Sequence, residues 1–345
     1  MNIKTEISKI HYDKQAKGLF FSLLKFFSIF YGVGSGFKNL LYDNKILKPK
    51  KVDAFVISIG NLTTGGVGKT PVVASLAEYF SSKSEKVAIV SRGYGGKLKG
   101  VNVISDGENV FFDAKICGDE PNWLAKNTKA VVITSSVRCE GAKLAVEKFG
   151  VTKIILDDGF QHRKFYRDLD IVLVDSEKVF GNENLLPAGP LREGTEAFKR
   201  VDKLVVVSKN INHSHAEKFA RVMGKKLKID TFLCKTEPAF SYNIKDENDK
   251  ASVGNKIVAF SAIGQPKQFY KFLENYEISK TVDFDDHHIY TQEDINNLEK
   301  ICEEQGAEFL ITTEKDAVKI KDFNFNKKIY ALKLKTDLDV EGLVK

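Results

Sequence analysis

Residues 56–77, VISIGNLTTGGVGKTPVVASLA, constrain this chain more than any other stretch. Val56–Ile59 is a short aliphatic run of the kind buried in a strand. A loop with Gly60, Gly65, Gly66 and Gly68 follows, ends in Lys69-Thr70, and gives way to an apolar helical pattern from Val72. Strand, glycine-rich loop, Lys-Thr and helix, in that order, make the P-loop arrangement. Glycines let backbone N–H groups turn inward around phosphate oxygens, and the helix N-terminus adds partial positive charge. In such a loop Lys69 reaches the β- and γ-phosphates and the Thr70 hydroxyl ligates Mg²⁺. Thr63 departs from the strict G-x-x-x-x-G-K-[ST] pattern, which asks for glycine there. Thr63, Thr64, Gly65, Gly66, Val67, Gly68, Lys69 and Thr70 are the candidate nucleotide cradle, and the chain is expected to bind a nucleoside triphosphate.

What surrounds this loop sets the fold class. The chain's 345 residues, 43% hydrophobic and 29% charged, give room for two folded domains. After Val52, aliphatic runs alternate with helical segments: 87–96, 130–150, 153–163, 168–175 and 203–210 each carry a Val/Ile/Leu strand. Runs apolar on both faces and separated by helices indicate a mainly parallel α/β sheet, with ligands at the C-terminal strand ends. Residues 229–254 change character and read as two short strands around a polar turn, a hairpin-like linker to a smaller C-terminal α/β domain. The expected division is 1–51, an N-terminal amphipathic membrane-associated segment; 52–228, a P-loop core; and 229–345, linker hairpin and smaller C-terminal α/β domain.

The N-terminus carries LFFSLLKFFSIFY at 19–31, in which Ser22, Lys25 and Ser28 fall on one narrow strip of a helix. Gly32, Gly34 and Gly36 interrupt the run, a second apolar cluster reaches Tyr42, and Lys45, Lys48, Lys50 and Lys51 follow. A signal peptide would export an ATP-binding domain to where ATP is scarce, and a helix capping the core would not need this excess of phenylalanine. An interfacial helix over 19–42, monotopic rather than spanning, accounts for both the aromatic face and the flanking lysines. The net charge of +7 suits a phosphorylated ligand or an anionic membrane, and no nucleic-acid signature accompanies it. Cys117, Cys139, Cys234 and Cys302 lie far apart, without a zinc-type spacing. No protein partner is evident in the pattern.

Several further clusters carry chemistry. Asp157 and Asp158 end the apolar strand KIILDD, a Walker B position where carboxylates hold Mg²⁺. Gln161-His162-Arg163 continue that loop. Arg192, closing LLPAGPLRE, is a candidate for neutralising phosphate charge with a planar fork of donors. Arg138 stands near the start of a helix, and Arg92 and Tyr94 lie on a strand-end loop as candidate substrate contacts. CGDEP places Asp119 at a helix start, which by itself assigns no role. DFDDHHIY gathers three acids with His287 and His288, and suits a histidine polarised by a carboxylate better than a shared metal. VVVSKN and ITTEKD only weakly echo the base-reading loop of GTPases.

In order, GNLTTGGVGKTP, SRGYGG, GDEP, DDGFQHR, LPAGPLRE, FDDHHIY and TTEKDAV resemble the tetraacyldisaccharide 4′-kinase family over nearly the whole chain. Thr63 is ordinary in that family's loop. The resemblance implies transfer of the ATP γ-phosphate to the 4′-hydroxyl of a tetraacylated glucosamine disaccharide 1-phosphate. That gives lipid IVA in lipid A biosynthesis, at the cytoplasmic face of the bacterial inner membrane. It implies phosphate and Mg²⁺ binding by Lys69 and Thr70, and metal support from Asp157 and Asp158. Asp119 would accept the sugar hydroxyl proton with His287, which directly follows Asp286, as its dyad partner. Arg192 and Arg138 would stabilise the transferring charge, and Gln161 would order the site. A membrane-associated switch ATPase of the MinD/ParA type is disfavoured by Thr64, where that group carries a lysine. A GTP-dependent metallochaperone is disfavoured by the missing base-reading motif, and a non-enzymatic nucleotide-binding adaptor at membranes is the third alternative.

Overall fold

Each aliphatic run before residue 210 becomes a strand buried on both faces. The computed structural model describes residues 3–210, 212–264, 266–285 and 288–345. Helices α1 (Ile3–Tyr12) and α2 (Leu19–Asp43) lead into β1 (Phe55–Asn61), which the glycine loop joins to α3 (Lys69–Ser82). Next come β2 (Val87–Ser91), β3 (Val101–Ser105), α4 (Ala114–Cys117), α5 (Asp119–Asn127), β4 (Val131–Ser135) and α6 (Arg138–Phe149). Then β5 (Lys153–Asp157), β6 (Leu169–Asp175), β7 (Lys203–Ser208) and α7 (Ser214–Leu227) precede the long β8 (Asp230–Asn243). The remaining elements are β9 (Lys256–Ser261), α8 (Pro266–Lys271), β10 (Glu277–Asp283), α9 (Gln292–Glu304), β11 (Phe309–Thr313), α10 (Glu314–Ile320), β12 (Ile329–Asp337) and α11 (Val340–Val344).

The chain forms two units, Met1–Ser208 with Ser214–Cys234 and Leu338–Lys345, and Lys209–His213 with Lys235–Asp337. In the first, strands run in the order β7-β6-β1-β5-β2-β4-β3. All are parallel except β3, which pairs antiparallel with β4 at the edge. The β1 strand is central, with β5 on one side and β6 on the other, so the glycine loop and Asp157 leave the sheet side by side. Side chains of α3, including Val73 and Leu76, pack on Ile57 and Ile155 in the same core. Gly60 is where β1 passes closest to the turn after β5: a Cβ there would stand 2.5 Å from Phe160 Cβ. A side chain at position 60 would push the two phosphate-side loops apart.

In the second unit, β10, β9, β11 and β12 are parallel neighbours, and β8 lies antiparallel to β12. Its core includes Phe260, Leu298, Leu310 and Ile329.

The division differs from the expected cuts after 51 and 228. Residues 338–345 return to the first unit because Leu343 is fully buried in that unit's core. The expected hairpin at 229–254 survives as a turn that brings Lys250 back to an antiparallel bridge with Tyr242, but its first arm is one 14-residue strand whose main partner, β12, comes from much later in the chain. The register shifts opposite Pro238, which has no N–H to give the ladder.

The N-terminal helix also runs on past its glycines to Asp43. Gly32 lies so close to Leu185 that a Cβ there would be 2.9 Å from its Cδ1. The inward stripe is Leu24, Ser28, Gly32, Ser35, Asn39 and Tyr42, the buried or half-buried positions spaced at three and four. Of the strip Ser22, Lys25 and Ser28, only Ser28 points inward. On the opposite side Phe26, Phe30, Val33, Phe37 and Leu40 are each more than half exposed. By length and composition α2 could cross a membrane.

Candidate active site

A strand ending in Gly-Asn and a helix opening on Lys69 put the lysine directly over the end of β1. The intervening loop turns through left-handed backbone at Gly65 (φ 103°) and Gly68 (φ 100°), conformations that L side chains rarely adopt. Thr63 does not adopt that backbone, which is why threonine can stand there. It is buried, bridges Leu191 in antiparallel fashion, and its carbonyl accepts the Asn61 side-chain amide at 2.6 Å. Thr64 N–H donates to the Pro190 carbonyl at 2.7 Å, and Tyr12 donates its hydroxyl to the Thr64 carbonyl at 3.0 Å. The first half of the loop is therefore fixed by its neighbours, while Gly65 and Gly66 are exposed.

Lys69, Asp158 and Arg192 form one charge cluster. Lys69 Nζ donates to Asn61 Oδ1 at 2.9 Å and lies 3.3 Å from Asp158 Oδ1. The Arg192 guanidinium grips both Asp158 oxygens, at 2.9 and 2.7 Å, and reaches Gln161 Oε1 at 3.4 Å. Gln161 Nε2 in turn donates to the Asn61 carbonyl at 3.1 Å. Burial works against the Asp158 charge, but Lys69 and Arg192 outweigh it and hold its carboxyl below the usual carboxylate range. Asp158 itself has φ 57°, a left-handed conformation in a non-glycine residue of the kind that gathers at functional sites.

Asp157 is the opposite case. Its carboxyl is pushed up to about 6, by burial first and then by the Glu120 carboxylate, with Lys69 acting against the rise. The carboxylates of Asp157, Asp158 and Glu120 thus lean on one another, and Thr70 stands in the first turn of α3. Among the described residues no group of three or more His, Cys, Asp or Glu could hold a metal unaided. That donor set fits Mg²⁺, which takes one or two carboxylates and completes its shell with phosphate oxygens and water.

Arg138 lies deeper than its expected role requires. Its side chain is buried, donating to the Ser135 carbonyl at 2.6 Å and to the Asp157 backbone carbonyl at 3.3 Å. It ties the ends of β4 and β5 together behind the acids. Arg92 and Tyr94 lie exposed on the loop after β2, with Tyr94 85% exposed. Asp119 opens α5, next to Glu120, and His287 lies outside the described residues. His288 is engaged within the second unit: its Nε2 is 3.0 Å from Asp294 Oδ2, and its ring stacks on Phe284. Asp316 of TTEKD is wholly buried, accepting from Ala262 N–H and Thr313 Oγ1, so this echo of a base-reading loop serves the fold. Asn61, Tyr12 and Glu120 escaped the sequence reading. Of these Asn61 left a trace as a polar residue ending an otherwise apolar strand, and Glu120 as the neighbour of Asp119 in GDEP, without a role.

The family profile described as tetraacyldisaccharide-1-P 4′-kinase matches residues 20–345. This chain belongs to that family. It is 36% identical over 339 residues to the tetraacyldisaccharide 4′-kinase of Syntrophus aciditrophicus, covering 93% of this chain and 90% of that protein. The enzyme of the same name from Desulfotalea psychrophila is 35% identical, covering 95% of this chain and 96% of that protein. The crystal structure of LpxK from Aquifex aeolicus in complex with ATP superimposes with a TM-score of 0.76 at 33% identity, covering 94% of this chain and 98% of that one.

One consequence concerns folding rather than catalysis. His162, on the Asp158–Arg163 loop, is pushed down to about 4 by burial and then by Arg138, Lys38 and Arg167. As pH falls below the ordinary histidine value of about 6.5, the unfolded chain takes up a proton that the folded chain refuses. Stability present above about pH 6.5 is therefore lost progressively down to about pH 4. In urea unfolding, His162→Asn should flatten the fall in midpoint across that window. An unchanged slope would show that His162 does not carry it.

Proposed function

We infer that this chain transfers the γ-phosphate of ATP to the 4′-hydroxyl of a tetraacylated glucosamine disaccharide 1-phosphate, giving lipid IVA in lipid A biosynthesis. Membership of the kinase family carries the reaction class. The observation that carries the site is Asp158 held between Lys69 and Arg192 at the mouth of the glycine loop. Phosphoryl transfer asks a protein for positioning and charge neutralisation, with little covalent chemistry. Lys69 exchanges Asp158 for the β/γ-phosphates, and Arg192 turns its fork to the charge spreading over the transferring group. Thr70 and Asp157, with Asp158 supporting, would hold Mg²⁺, which supplies further neutralisation of the phosphate oxygens. Arg138 acts from behind, fixing the backbone that aims Asp157. Gln161 orders Arg192, and the exposed Arg92 and Tyr94 are the proposed contacts for the acceptor.

Asp119 is the proposed base for the sugar hydroxyl, with His287 as its partner. The engagement of His288 with Asp294 and Phe284 supports choosing His287 over its neighbour.

A tetraacylated acceptor leaves a bilayer at a cost of ~0.8 kcal/mol per CH₂, so the enzyme works at the membrane. The exposed stripe Phe26, Phe30, Val33, Phe37 and Leu40 is the surface that enters it, at the cytoplasmic face of the inner membrane. The inward stripe of α2 is hydrogen-bonded to the first unit from Ser28 to Asp43, which favours a helix lying along the membrane over one that crosses it.

Lys69→Ala should cut formation of the 4′-phosphorylated product by ~10²-fold or more, as for loss of one preorganised electrostatic stabiliser. Near-normal turnover would remove the P-loop assignment. Asp119→Ala and His287→Ala should each lower kcat with little change in KM for ATP, and the double variant should be scarcely worse than the poorer single. Multiplicative losses, or a larger defect from His288→Ala than from His287→Ala, would refute the pairing.

A further inference from the structure

Four polar side chains of α2, Ser28, Tyr31, Lys38 and Asn39, hydrogen-bond outside their own helix. They reach across to the loops that carry the charge cluster. Ser28 Oγ donates to the Leu185 carbonyl at 2.9 Å and accepts from Ala188 N–H at 3.1 Å. Tyr31 donates its hydroxyl to the carbonyl of Arg192 itself at 2.9 Å. Lys38 Nζ donates to the Gln161 carbonyl at 3.0 Å. Asn39 Nδ2 donates to Glu193 Oε2 at 2.7 Å, an oxygen that also takes Arg200 Nη2 at 2.9 Å.

Arg192 is thus held from two directions. Its N–H donates to the Leu62 carbonyl at 2.7 Å, fixing it to the glycine loop, and its carbonyl is fixed to Tyr31. The next residue, Glu193, is buried and anchored by Asn39. A two-residue segment clamped at one N–H, one carbonyl and one carboxylate leaves the guanidinium of Arg192 little freedom in where it points. Two of those three clamps come from α2, the helix whose opposite stripe is apolar and exposed.

We propose that Tyr31 and Asn39 are positioning residues for phosphoryl transfer, setting the aim of Arg192 from the helix that faces the lipid. The proposal rests on the reading that Arg192 acts on the transferring phosphate. Neither residue touches nucleotide or acceptor in this role. Their effect passes through the Arg192–Glu193 backbone, where a misplacement of about 1 Å can cost up to ~10²-fold in rate. Tyr31 is 37% exposed, so removing its hydroxyl opens no cavity and leaves a carbonyl that water can reach. Fold and membrane recruitment should therefore survive where turnover does not.

The test is kcat for product formation at saturating ATP and acceptor in mixed micelles, for Tyr31→Phe, Asn39→Ala and the pair, each also made with Arg192→Ala. With Arg192 present, the paired variant should lose about tenfold in kcat, while KM for ATP and cosedimentation with anionic vesicles stay within about twofold. With Arg192→Ala in place, the same two substitutions should cost nothing further, since the group they aim is gone. A paired variant with kcat within about twofold of the unsubstituted protein overturns the proposal. Losses that multiply with Arg192→Ala overturn it equally. If Arg192→Ala alone keeps full turnover, the reading of Arg192 falls and the proposal falls with it. A dead Arg192→Ala beside fully active Tyr31 and Asn39 variants removes the proposal and leaves that reading standing.

Discussion

The site depends on one carboxylate. Asp158 sits in left-handed backbone at the end of an apolar strand, gripped by Arg192 and faced by Lys69. Burial works against its charge, and those two cations outweigh that. With them, three segments remote in sequence converge: the glycine loop, the Asp158–Arg163 turn and the Pro187–Glu193 loop. Gly60 lets the first two approach, and Asn61 links Lys69 to the loop below it. The cluster holds Lys69 against Asn61 and Asp158, and in the reading developed above the nucleotide takes over a cation already in place.

The N-terminal helices extend this frame outward. Tyr12 closes on the carbonyl of Thr64, and Ser28, Tyr31 and Lys38 of α2 reach the backbone of the other two loops. A helix that only anchored the protein would need no such contacts. Its opposite side carries aromatic and aliphatic groups that water does not favour. One helix thus carries both the exposed apolar stripe and the contacts to the loops of the charge cluster.

The parallel sheet, the glycine loop and the acids at the end of β5 were legible because each rests on a local pattern. An aliphatic run bounded by glycines has few alternatives to a buried strand, and a Lys-Thr after such a loop has few alternatives to phosphate. The N-terminal helix was half legible: its apolar character showed, but its glycines read as interruptions. Gly32 is instead the position where the helix meets Leu185, a contact between residues 153 positions apart. The surroundings of Arg138 were not legible either, since a helix-start position does not show that its guanidinium donates to the carbonyls of Ser135 and Asp157. The pairing of β8 with β12 was hidden because residues 229–254 contain a turn-like polar stretch and the true partner lies some 90 residues later. Tyr31 and Asn39 carry no local signal at all. Their meaning is only in what they touch.

The central claim is that Asp158 holds Lys69 in place of phosphate, and affinity for ATP without divalent metal tests it directly. Replacing Asp158 with Asn removes both a competitor for Lys69 and a negative charge facing the triphosphate. The account requires Asp158→Asn to bind metal-free ATP at least as tightly as the unsubstituted protein in calorimetric titration, while transfer in the presence of Mg²⁺ falls by ~10²-fold or more. Weaker binding of metal-free ATP by that variant would contradict it.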